Sequence, residues 1–181
     1  KGATLTMSGW NTALNAADVV LDTGSTVTTP GAFAADADKS RVLISCANLM
    51  VASGASIDVN KKGWSCGLPS GTATKANGFG PGAGTLDFGA AHGGPGGKNP
   101  DANEGSTARP AVYGSAAEPV EPGSGGYQDL GTTGNVNTGT HGGGAVRIVA
   151  TGTVTVNGSI LANGGSVLSA GTSNLSDRRD T

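Results

Sequence analysis

Apolar and polar residues alternate along GGGAVRIVATGTVTVNGSILANGG, from Gly142 to Gly165. Val146, Ile148 and Ala150 share one face of a first run, and Val154 and Val156 share one face of a second. Ile160 and Ala162 follow the turn signal Asn157-Gly158. Successive strand side chains point to opposite faces, so a period of two over short runs predicts half-buried β-strands. The phrase occurs once before, as VLISCANLMVASGASIDVNKKG from Val42 to Gly63. Placing Val42 on Val146 sets Ile44 on Ile148, Cys46 on Ala150, Asn48 on Gly152, Met50 on Val154 and Ala52 on Val156. Beyond a one-residue insertion, Ile57 falls on Ile160 and Asn60 on Asn163. Repeated phrases stack like side chains in register. The residues Val42, Ile44, Cys46, Val146, Ile148, Ala150, Val154 and Val156 are therefore expected nearly buried in one contiguous core.

The pattern extends toward the start of the chain. Ala3 to Ser8 alternates and predicts a first strand, and Asp18 to Thr29 predicts two more around Thr23-Gly24. Pro30-Gly31 breaks the run, and the polar loop AFAADADKS leads into the first copy. Asn11 to Ala17 is the one candidate helix and is too short to count as one. Units of about 20 residues, each strand, turn, strand, turn, cannot bury a face without the next unit. They predict an all-β fold, a right-handed parallel β-helix or solenoid; the alternative is an antiparallel β-sandwich. The chain reads as one domain, 1–181, with coils over 1–64 and 142–170 and a long excursion over 65–141.

That excursion has a different composition. Most of the chain's 33 glycines and all but one of its eight prolines fall between Ser65 and Gly144. With so few aliphatic residues, an ordered segment of this kind needs backbone hydrogen bonds, its few aromatics, or bound ions and water. Phe79, Phe88, Tyr113 and Tyr127 are the expected anchors of a lobe packed beside the coils.

Aromatics are only 4% of the chain and hydrophobic residues 36%, which suits a narrow core of small and β-branched side chains. The net charge of −2 and scattered Lys and Arg argue against a nucleic-acid partner, which needs clustered cations to neutralise phosphates. No run of about 18 apolar residues is present, so no membrane span is expected. Abundant Thr, Ser, Asn and Gly with little charge point to an extracellular or cell-surface setting, and a start at Lys1 to a mature or excised piece. Cys46 falls on the inward face as a small core filler, Cys66 lies just beyond Trp64, and whether they pair is left open.

The succession GPGAG, HGGPGG, YGS, EPGSGG, HGGGAVRI and GTVTVNGSILANGG resembles a glycine-rich module of very large secreted or surface proteins, mainly bacterial. The resemblance runs from about Val42 to Gly165, with TTGNVNTGT standing where the module has a purer glycine run. It implies a β-helix-like domain in an extracellular multidomain protein, in the company of carbohydrate-active or adhesive domains. It carries over no catalytic residues.

Few residues could carry chemistry. His92 in AAHGGPGG and His141 in THGGG could ligate one metal with Asp87, Asp101 or Asp129; the plainer reading has each imidazole bonding loop backbone. In PDANE, Asp101 and Glu104 could hold Ca²⁺ through oxygen ligands, without the spacing of a calcium loop. No other cofactor is expected. Ser115 and Ser124 lack the strand-turn-helix setting of a nucleophile elbow. The glycine runs lack the Lys-Ser/Thr of a phosphate loop. Of the repeat's outward positions, Leu43, Ser45, Arg147, Val149, Thr153 and Thr155, only Arg147 is charged.

The expected role is a non-catalytic structural or adhesive module. Glycan binding is the alternative, with Trp10, Trp64, Tyr113 and Tyr127 stacking on sugar rings; two of them facing solvent in one groove would favour it. A polysaccharide lyase or hydrolase would need ionisable groups gathered in a cleft. End-to-end stacking into a homo-oligomer is also expected, because the first strand has no visible cap while SDRRD charges the other end.

Overall fold

The structure, a computed structural model, describes residues 2–68, 73, 75–98, 108–115, 117–129 and 139–166. Its strands are β1 (Thr4–Thr6), β2 (Leu14–Leu21), β3 (Thr26–Thr28), β4 (Arg41–Val51), β5 (Ser56–Asp58), β6 (Lys75–Ala76), β7 (Gln128–Asp129), β8 (Ala145–Ala150), β9 (Val154–Val156) and β10 (Ser159–Leu161). The fold is all-β. One sheet runs β1-β3-β5-β10; a second runs β2-β4-β8, with β9 also on β4. Every pairing in both sheets is parallel. β6 and β7 form a small antiparallel pair in the glycine-rich part. The helix candidate Asn11–Ala17 runs instead into β2, and a single 3-10 turn at Asp36–Asp38 sits in the AFAADADKS loop.

Parallel strands need a crossover connection between them. β2 lies on β4, and β3 on β5, with partners such as Asp18 and Asn48 or Thr26 and Ser56 separated by 30 residues. Like residues consequently stack: Leu5, Val27, Ile57 and Ile160 form one apolar row across four strands. The buried cluster lies between the two sheets and includes Met7, Val19, Leu21, Val27, Val42, Ile44, Cys46, Leu49, Val51, Ile57 and Val59.

The expected register holds at both ends of the repeat and slips in its middle. Val42 pairs with Val146, Ile44 with Ile148, Cys46 with Ala150 and Ile57 with Ile160. Asn60 Oδ1 accepts the Asn163 amide at 2.7 Å, matching the last expected pair. Val154, however, pairs with Leu49 and Val156 with Val51, not with Met50 and Ala52. Three residues, Thr151 to Thr153, oppose Ala47 and Asn48, so one extra residue enters here as a bulge. Asn48 fixes the place: its Nδ2 donates to Asp18 Oδ1 at 2.8 Å and its Oδ1 accepts the Thr153 amide at 3.0 Å. On β4 itself Leu49 points inward and Met50 out to solvent.

A second expectation fails at the end strand. Val42, Ile44 and Cys46 are buried, and Val146, Ile148 and Ala150 are half-buried against the same cluster. Val154 and Val156 are 46% and 43% exposed. They face the core side as predicted, but β9 is an edge strand with no neighbour beyond it among the described residues.

Candidate functional site

Between β5 and β8 the chain leaves these two sheets, and backbone hydrogen bonds join many of its described residues to distant segments. Gly63 donates its amide to the Gly142 carbonyl at 2.9 Å, Trp64 to Gly123 at 3.0 Å and Ser65 to Phe33 at 2.8 Å. Gly123, Gly125 and Gly126 donate to Gly143, Phe79 and Thr140 at 2.8–2.9 Å. Consecutive amides thus reach three different segments. A β-strand serves two neighbours on opposite sides, whereas a backbone with three residues per turn and no internal hydrogen bonds serves three. The glycines let these segments approach closely. A Cβ on Gly125 would overlap the Ser65 carbonyl, and one on Gly142 the Gly123 carbonyl.

This packing brings the chain's two histidines to one cavity. About 180 Å³ in volume, it is lined by His92, Ser124, Thr140, His141 and glycine backbone from three segments. His141 Nδ1 accepts the Cys66 amide at 3.1 Å, so the neutral ring carries its proton on Nε2. Burial, with a smaller contribution from the Lys61 ammonium, holds its pKa below the ordinary histidine value and keeps it neutral. His92 Nε2 lies 3.2 Å from the Glu121 carbonyl, which can only accept, so this nitrogen donates. The Tyr113 ring meets His92 edge-on, with centroids 4.7 Å apart. Tyr113 Oη donates to the Pro122 carbonyl at 2.6 Å and accepts from Ser124 Oγ at 2.9 Å, while Ser124 Oγ accepts the Gly82 amide at 3.0 Å. Burial pushes the Tyr113 phenol up, so it stays a donor.

The arrangement uses its polar atoms to hold itself together. A ligating histidine normally donates its second N–H to an acceptor and offers a lone pair to the metal. His141 does the reverse and has no lone pair at Nε2. Asp129 is paired with Lys75 Nζ at 3.2 Å and Asp87 is buried. Asp101 and Glu104 lie outside the described residues. Among the described residues no three His, Cys, Asp or Glu side chains form a group able to hold an ion. Cys46 and Cys66 are both buried free thiols, and burial raises the Cys66 pKa.

The four candidate glycan contacts are separately employed. Trp64 is 6% exposed and packs on Phe33, with ring centroids 4.8 Å apart. Tyr113 belongs to the Ser124 network, and Tyr127 is half-buried. Trp10 carries both Lys39 Nζ and the Arg41 guanidinium 4.5 Å from its ring centre. Lys39 also pairs with Glu121 Oε2 at 2.6 Å, tying the first loop to the glycine-rich part. Sequence reading missed this tie and the Phe33–Trp64 contact. The EPVEP phrase supplies Glu121 to Lys39 and Glu118 to Arg147 at 3.1 Å. Of the expected anchors, Tyr113 bonds Pro122 and Ser124, and Phe79 and Phe88 are half-buried, Phe88 beneath Arg109 at 5.0 Å.

No family model, curated protein or solved structure matched the chain. No helix among the described residues is long and apolar enough to cross a membrane.

Proposed function

We propose that this chain is a non-catalytic structural or adhesive module of an extracellular or cell-surface protein, built as a right-handed parallel β-helix with a glycine-rich lobe. The parallel sheets, the 30-residue spacing of stacked partners and the shared core support the β-helix. The resemblance of its glycine phrases to modules of large surface proteins supports the setting. One observation carries the functional reading: among the described residues, the two histidines, Ser124 and Tyr113 are engaged in bonds that hold the chain together. His141 accepts a backbone amide, His92 donates to a carbonyl, and Ser124 and Tyr113 bond each other. These bonds tie separate segments of the glycine-rich part together, which is what a structural role asks of them.

Glycan binding has thinner support, because the candidate aromatics are dispersed and Trp64 is buried. Incubating the pure protein with pooled acidic and neutral polysaccharides tests the main reading. No unsaturated or reducing ends should appear. Release that disappears on changing His92, His141 or Asp129 would overturn it.

A further inference from the structure

The hydrogen bonds that hold the lobe leave donors over at its cavity. His141 lines the cavity, and with Nδ1 committed to the Cys66 amide the ring keeps one N–H, at Nε2. Thr140, Gly143 and Gly164 line it too. Among the described residues, the His141 Nε2–H, the Thr140 hydroxyl and the Gly143 and Gly164 amides meet no acceptor. Their neighbours differ: Gly123, Gly126, Gly142 and Gly165 each donate to a carbonyl at 2.8–2.9 Å.

The charge at this place has one sign. No Asp or Glu lines the cavity. The Lys61 ammonium lies near enough to His141 to oppose its protonation. Glu121, whose carbonyl faces His92, gives its carboxylate to Lys39 at 2.6 Å. N–H and O–H groups gathered beside a positive charge repel a metal ion and attract an anion, as concave arrays of backbone amides do. Partial burial strengthens such bonds, because the local dielectric is lower than that of water. The volume sets the size of the guest. At about 180 Å³ it exceeds the roughly 10–15 Å³ that one water needs and falls short of the roughly 300 Å³ of a drug-sized pocket. It suits one small anion, or one anionic sugar unit.

We infer that this cavity is a binding site for a small oxyanion, a phosphate, a sulfate or the carboxylate of an acidic sugar, held by the His141 Nε2–H, the Thr140 hydroxyl and the Gly143 and Gly164 amides. The inference goes beyond the structural reading above and asks no chemistry of these groups. His92, with Nε2 donating to the Glu121 carbonyl, keeps Nδ1 as an acceptor. A guest that also carries a hydroxyl, such as hydrogen phosphate or a uronic acid, can use it.

Heteronuclear NMR spectra of the 181-residue protein, titrated separately with sodium sulfate, sodium phosphate and methyl galacturonate, test this. Sodium chloride at equal ionic strength and methyl galactoside, which has no anion, are the controls. The Gly143 and Gly164 amide signals and the His141 Nε2 signal should move and saturate with the oxyanions and stay still with the controls. Tighter binding of the uronate assigns the site to an acidic glycan; tighter binding of phosphate or sulfate assigns it to the free ion. His141→Asn keeps an acceptor for the Cys66 amide and lacks the Nε2–H. It should weaken binding about tenfold or more, the worth of one hydrogen bond to a charged group. No saturable shift with any of the three oxyanions, equal shifts with methyl galactoside, or unchanged affinity in His141→Asn would each overturn the inference. Loss of the folded spectrum in that variant would move the test to Lys61→Asn, with the same direction expected. Lys61 has φ 57°, a left-handed conformation that asparagine tolerates. Failure here leaves the non-catalytic reading standing, since polysaccharide release is measured separately.

Discussion

The sheets and the glycine-rich lobe solve the same problem with opposite materials. In the sheets, side chains fill the interior: Val42, Ile44, Val51, Ile57 and Val59 are wholly removed from solvent. In the lobe, backbone fills it. Gly125 and Gly142 sit where a side chain would occupy a neighbour's carbonyl, and successive amides reach three segments. Burial of apolar area stabilises the first region. The second relies on hydrogen bonds worth about 1 kcal/mol each, and on their number, because every buried amide left unpaired costs more than one formed returns. The sheet core should consequently tolerate exchange of one aliphatic residue for another of like size. The lobe should tolerate almost no addition at its contact glycines.

The sharpest way to break the comparison is a single methyl group. Gly125→Ala places a Cβ against the Ser65 carbonyl, where backbone must move, and should cost about 4 kcal/mol or more. Gly31→Ala, where the added atom meets nothing, should stay within about 0.5 kcal/mol. Urea denaturation of both variants decides the matter. Equal midpoints would show that the lobe is not packed through its glycines.

A smaller effect is expected within the apolar row. Ile57→Ala removes a fully buried side chain between two sheets and should cost about 3 kcal/mol. Leu5→Ala removes a residue of the same row that is 44% exposed, and should cost under about 1 kcal/mol. Similar losses at both positions would mean that the β1 end is covered in solution.

These contrasts explain what could be read from the chain. Val42 on Val146 and Ile57 on Ile160 were legible because alternation and a repeated phrase constrain each other. The slip at Asn48 was not, because an extra residue within Thr151–Thr153 leaves the apolar pattern almost unchanged on either side. Hydrogen bonds from Asn48 to Asp18 and Thr153 decide it. The lobe's packing was hidden for a deeper reason: glycine has no side chain, so a segment held largely through its backbone carries little periodicity to read. Exposure of Val154 and Val156 was hidden too, since alternation shows which way a residue faces and not whether another strand lies beyond it. His92 and His141 were identifiable as the two histidines, yet their meeting at one cavity depends on that unreadable packing.

The smallest expected effect is a dependence on pH that belongs to the lobe alone. His141 keeps its Nδ1 lone pair for the Cys66 amide, and burial followed by the Lys61 charge lowers its pKa in the folded state. Unfolded, the same histidine titrates near about 6.5. Below that value the unfolded chain takes up a proton that the folded chain resists, so stability falls as pH falls. The contribution is complete above the unfolded pKa and is lost as pH drops toward the folded one. Protonation of Nδ1 would also set two donors against each other at Cys66. The wild-type denaturation midpoint should therefore decline between pH 7 and pH 5 more steeply than that of His141→Asn, whose side-chain oxygen can still accept the amide but does not titrate. Carboxylates common to both proteins cancel in that difference. Parallel pH profiles would remove His141 from the lobe's support and leave the glycine contacts to carry it alone.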